Sequence, residues 1–168
     1  MAIDIGAPAA EGVYLDDSRY EMLNGQLLER ALPGLQHAKI QAAIKDLLTP
    51  FTKRLGGEVA QEWTIVHDKD WLTPDVTFSH RDYKIDRVGR LIAPAYLCVE
   101  IRSPEQPIRH LFEKSGIYRK WGIPYCWIID PIEKVSYQCD AAAAANESIV
   151  IKTDVLEAGN LSIKEPWF

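Results

Sequence analysis

At 168 residues, 47% hydrophobic and 26% charged, the chain has the make-up of one globular domain large enough to bury a core. A net charge of −5 lacks the basic footprint of a passive nucleic-acid binder. It leaves room for an acidic site that meets phosphate through a divalent cation, since the cation would be the largest local charge. No run approaches the roughly 18 apolar residues of a membrane helix, Met1 to Glu11 shows no signal pattern, and Cys98, Cys126 and Cys139 are too scattered for a disulfide framework. The expectation is a cytoplasmic protein with no membrane partner, a single domain over 1–168, and a flexible tail over 1–12.

In chain order, Tyr20-Glu21-Met22-Leu23 and Gln26-Leu27-Leu28-Glu29-Arg30 flank Asn24-Gly25. Asn-Gly between strand-like runs predicts a hairpin, because both central residues of a type I′ turn need positive φ. From His37 to Leu55 the apolar residues Ile40, Ile44, Leu47, Leu48 and Phe51 follow helical spacing. Pro50 predicts a kink or split near Thr49, and Gly56-Gly57 ends the helix. Strands are expected over Glu58 to Val66, Thr73 to Phe78 and Tyr96 to Ile101, with Ser79 to Arg90 as a charged, solvated loop. The run Tyr96 to Ile101 is apolar enough to be buried on both faces.

A second helix is expected from Pro107, at its first position, to about Trp121, with Gly122 and Pro124 closing it. His110, Lys114 and Tyr118 share one face of that helix. Tyr125 to Asp130 and Lys134 to Cys139 read as a strand pair, Ser148 to Ile151 and Asn160 to Ile163 as weaker strands, and the alanine-rich run from Ala141 as a loop. The order from His37 to Asp130 is thus α-β-β-β-α-β, an α/β sandwich with a crossover between the last two strands.

Two acids interrupt this pattern. Glu100 ends Tyr-Leu-Cys-Val, where a buried strand calls for another apolar residue, and Asp75 opens a strand after Pro74. A buried unpaired charge costs several kcal/mol or neutralises, so such acids either face solvent at a strand end or belong to a polar site. On neighbouring strands the two carboxylates can converge as hard oxygen ligands for Mg²⁺ or Mn²⁺, with Lys114 offsetting charge and Tyr118 beside it. Each residue also has a plainer reading. Asp75 could bond its own turn, Glu100 could pair with Arg102, Lys114 could be a surface lysine, and His37 could be a solvent-facing residue at a helix start. The tryptophans read as packing residues, Trp71 being the one near the acids.

Taken together, the hairpin Tyr20 to Gly25, His37, Pro74-Asp75, Val99-Glu100-Ile101-Arg102-Ser103-Pro104, Lys114 with Tyr118, and Gly122 to Pro131 resemble the Uma2 family (DUF820) of the PD-(D/E)XK nuclease superfamily. The resemblance implies a restriction-endonuclease-like αβββαβ core, with a mixed central sheet flanked by helices, an N-terminal hairpin and extra C-terminal strands. It further implies a Mg²⁺- or Mn²⁺-dependent endonuclease acting on nucleic acid, with DNA foremost, and a homodimer would supply the two sites that duplex cleavage needs. Asp75 and Glu100 would match the motif acids and bind metal. Arg102 stands where the motif lysine would be, and Lys114 matches the helix lysine suggested as its substitute. Glu62 would be a further acidic member, with His37 and Tyr118 in support. Two departures stand out: Gln26 replaces a frequent glutamate, and an arginine at 102 cannot act as a base. The alternative is a non-catalytic interaction or accessory module of the same fold. A two-carboxylate glycosidase would leave the lysine without a role.

Overall fold

The structure, a computed structural model, describes residues 19–140 and 149–151. The hairpin forms as β1 (Tyr20–Leu23) and β2 (Gln26–Glu29), with Asn24 and Gly25 at φ 52° and 75°. Helix α1 (Leu35–Leu55) follows, then β3 (Val59–Gln61), β4 (Ile65–His67), β5 (Asp70–Leu72), β6 (Val76–Ile85) and β7 (Leu91–Ile101). Helix α2 (Ile108–Lys120) leads to β8 (Tyr125–Asp130), β9 (Val135–Asp140) and β10 (Ile149–Ile151). The expected tail over 1–12, the alanine loop and the strand at Asn160 to Ile163 lie outside the described residues.

The architecture is mixed α/β. One sheet runs β10-β9-β8-β7-β4-β5-β1-β2, with β6 also on β7 and β3 on β6. β7 is its centre: parallel to β8 across the α2 crossover, antiparallel to β6, and touching β4 at Leu91. Side chains alternate along β7, so Leu97, Val99 and Ile101 join Ile40, Ile44 and Leu48 of α1 in one core. Cys98 faces the other way, with Leu111 and Tyr118 of α2. Continued one step, that alternation puts Glu100 on the α2 face. All three cysteines are buried as small core residues, and none is in a disulfide.

Several sequence expectations are corrected. Glu58 to Val66 is two strands, because Glu62 adopts φ 52° and breaks the run. Ser79 to Arg90 is mostly strand. Its charged residues are carried on a long, irregularly paired β6–β7 arm, and only 86–90 turn. There the Asp86 carboxylate accepts from the Val88 and Arg90 amides and pairs with the Arg90 guanidinium at 2.7 Å. Between the helices there are accordingly five strand segments where the sequence reading counts three. Pro50 does not split α1, which runs unbroken through it; the missing N–H removes one backbone bond. Pro107 caps α2 rather than occupying its first turn.

Gly57, at φ 91° after the end of α1, passes so close to the Ser79 carbonyl that an added Cβ would collide with backbone. Gly57→Ala is expected to destabilise the protein by at least about 2 kcal/mol. Gly89, at φ 88° with open space around it, should cost only about 1 kcal/mol on the same change. Chemical denaturation of the two variants checks the difference; equal losses would contradict the close approach.

Candidate active site at the ends of the central strands

β6 and β7 pair with Val76 opposite Val99 and Thr77 opposite Cys98. One more step of that register sets Asp75 opposite Glu100. Residues directly opposed across antiparallel strands share a face, so two carboxylates meet where the sheet ends, only 5% and 4% exposed. Like charges so placed repel, and the surrounding residues answer that repulsion.

Asp75 is held at both oxygens. Its Oδ2 accepts from the Ile101 amide at 2.6 Å, and its Oδ1 lies 3.2 Å from His37 Nε2. It bonds the facing strand rather than its own turn. His37 is buried in the first turns of α1, and its Nδ1 is buried without a hydrogen-bond partner. Burial pulls the imidazole pKa down, but the Asp75 bond and charge, with Glu62 and Glu100 behind, outweigh it and leave it raised.

Glu100 Oε1 takes the Lys114 ammonium at 2.7 Å and the Tyr118 hydroxyl at 2.5 Å. The i to i+4 spacing on α2 is what lets both side chains reach one oxygen. Burial, then the charges of Asp75 and Glu21, push the Glu100 carboxyl up to about 7 against the opposing pull of Lys114. Burial favours neutral Lys114, but Glu100 and Glu21 win and raise its pKa, so it stays an ammonium. Tyr118, raised by burial and by Glu100, keeps its proton.

The structure brings Asp75, Glu100, Lys114, Tyr118 and His37 together. Glu62 lies at the margin, a third exposed, accepting from Gln41 Nε2 at 2.7 Å and pairing with Arg30 at 2.5 Å. Arg102 is not brought in. It leaves the strand for Asp130, at 2.7 Å, and for the Gln106 carbonyl, so it neither pairs with Glu100 nor occupies a lysine position in the site. Trp71 pairs with Met22 in the sheet and does not line the cleft.

A cleft of about 400 Å³ opens onto these residues, lined by Asp75, Glu100, Lys114, His37, Arg30 and Glu21 among others. Asp75 and Glu100 offer the hard oxygens that Mg²⁺ or Mn²⁺ prefers, and a cation there would favour the ionised form of Glu100, which burial disfavours. Among the described residues no group of three or more His, Cys, Asp or Glu side chains is arranged to hold a metal. Two carboxylates are enough for an ion that keeps water and phosphate in the rest of its shell.

The family model of Uma2, described as "Putative restriction endonuclease", matches residues 13–141. The chain belongs to the Uma2 family. No curated protein matches it. Among solved structures it is similar to a protein of Anabaena variabilis ATCC 29413, described as "a putative nuclease belonging to DUF820". The two share a TM-score of 0.69 at 18% identity, over 80% of this chain and 76% of the other, a likeness of fold.

Three residues of this Uma2 site escaped the sequence reading. Glu21 Oε1 accepts from the Thr73 amide at 2.7 Å and from Lys114 Nζ at 3.0 Å. Arg30 reaches Glu62, Asp75 (3.7 Å) and Glu21 (3.8 Å). Gln41 donates to the Asp75 carbonyl as well as to Glu62. Glu21 and Gln41 had a legible signal: each is a polar residue at an inward position, alternating on β1 or four residues after His37 on α1. Arg30, just past a strand end, had none.

Removing the ammonium would strand Glu100 and Glu21 together. Lys114→Met is expected to lower stability by about 3 kcal/mol at neutral pH, the penalty for breaking a buried pair. The deficit should shrink toward pH 5, because an acid with a raised folded pKa gains stability as pH falls. Thermal melts of both proteins across that range check this; a deficit independent of pH would contradict the assignment.

Proposed function

We propose that the chain is a nuclease that hydrolyses nucleic-acid phosphodiester bonds with Mg²⁺ or Mn²⁺, with DNA as substrate. One juxtaposition carries the reading: two buried carboxylates opposed at the strand ends, with a lysine ammonium 2.7 Å from one of them. The family description points the same way. Asp75 and Glu100 would hold the ion, which when bound would acidify a water and offset charge on the phosphate. Lys114, being a fixed cation, does not accept a proton; it orients a phosphate oxygen and neutralises charge developing there. Tyr118 pins Glu100 Oε1, and Glu21 shares the Lys114 ammonium with Glu100 and so helps to fix its position. His37 and the Ile101 amide fix the Asp75 carboxylate.

One observation favours a second reading, a non-catalytic module of the same fold. Lys114 and His37 already lie 2.7 and 3.2 Å from Glu100 and Asp75, so both acids have partners without an ion.

The two are separated by incubating the protein with plasmid, linear and single-stranded DNA, and RNA, in Mg²⁺ and in Mn²⁺. The nuclease reading expects cleavage by the wild type, lost with Asp75→Ala and reduced about 100-fold or more with Lys114→Ala. Cleavage that survives Asp75→Ala, or none by the wild type on any substrate, would contradict it.

A further inference from the structure

We infer that the cleft takes one unpaired nucleotide, so that the chain acts on single-stranded or locally unpaired nucleic acid; this rests on the nuclease reading above. Three features of the molecule converge on it. The first is size. At about 400 Å³ the cleft is of small-ligand dimensions, and the acids at its floor are 5% and 4% exposed. A nucleotide fits such a space, whereas the phosphate of an intact double helix is held out by its own bulk.

The second is the chemistry of the wall. Beside the acids the cleft is lined by Leu23 and Leu28 of the N-terminal hairpin and by Ile117, with the fully buried Leu72 behind them. Leu28 is 40% exposed, the segment after β2, which puts Ala31 on the same wall, exposes Leu32 at 77%, and α1 opens on Leu35 at 74%. Apolar groups that line a groove rimmed by polar residues are the pattern of a ligand-binding surface. A duplex presents sugar and phosphate outward and keeps its base faces stacked, so leucines gain nothing from it. An unpaired base offers an apolar face, which is how extruded bases are held between apolar or aromatic side chains.

The third is charge. Binding a duplex by its backbone takes a track of lysines and arginines, and the net charge here is −5. Affinity drawn from base contact and from the few cations at the floor, Lys114 and Arg30, suits a single strand better.

The test is fluorescence anisotropy with Ca²⁺ in place of the active ion, using labelled DNA and RNA single strands and a DNA hairpin duplex of the same sequence. Single strands should bind at least about tenfold tighter than the duplex, and Leu28→Asp should weaken them by about tenfold. Leu28→Phe, which keeps an apolar face, should retain binding and shows that the site is not merely sensitive to change. The DNA and RNA arms identify which sugar is accepted. A duplex bound as tightly as the single strand, or single-strand binding indifferent to Leu28→Asp, overturns the inference. If plasmid is nevertheless cut in an Asp75-dependent way, the nuclease reading stands and the unpaired substrate alone is wrong. If no nucleic acid is bound and none is cut, both fail; a shift in solution mass with Leu28→Asp would then mark the leucines as a self-association surface.

Discussion

The opposition of Asp75 and Glu100 governs the rest of this structure. Antiparallel pairing sets the two acids face to face under cover, an arrangement that is unfavourable for bare carboxylates. Each neighbour can be understood as a response. The Ile101 amide and His37 take Asp75, Lys114 and Tyr118 take Glu100, and Arg30 stands between Asp75, Glu62 and Glu21. Burial first, and then the charges of Asp75 and Glu21, keep the Glu100 carboxyl raised to about 7 against the pull of Lys114. A fold that needed only stability would place apolar side chains here, since replacing a buried ion cluster by hydrophobic residues is often neutral or stabilising.

The responding residues come from separate parts of the chain. The hairpin brings Glu21 and Arg30, α1 brings His37 and Gln41, and α2 brings Lys114 and Tyr118, while the two acids sit at the meeting of β6 and β7. Cores on both faces of β7 hold these elements in place, α1 through Ile40, Ile44 and Leu48, α2 through Leu111 and Tyr118. Tyr118 belongs to both systems: its ring packs in the core and its hydroxyl reaches Glu100. The site is therefore built on regular elements of the sheet and helices, with the hairpin as its outer wall.

Much of this was legible in the sequence, for identifiable reasons. Asn24-Gly25 demanded positive φ and gave a hairpin. Glu100 stood out because it broke an apolar strand, and the spacing of Lys114 and Tyr118 put them on one helix face. What was not legible depended on tertiary pairing. The break at Glu62 is a backbone event with no compositional mark. The charged stretch after Ser79 reads as loop until its pairing with β7 is known. Arg102 stands two residues from Glu100 and was an obvious partner for it, yet Asp130 on the neighbouring strand claims it. Glu21 carried the same signal as Glu100, an acid at an inward strand position, but in an edge hairpin that signal is easily taken for solvent exposure.

Divalent-cation binding by the opposed carboxylates is what separates a metal site from a compensated ion cluster. Isothermal titration of Mn²⁺ into the wild type, Asp75→Asn and Glu100→Gln, each checked for an intact fold by circular dichroism, measures this directly. The expected result is saturable binding by the wild type that both folded variants lose. Binding absent from the wild type, or unchanged in the two variants, would mean that Asp75 and Glu100 are only a compensated ion cluster.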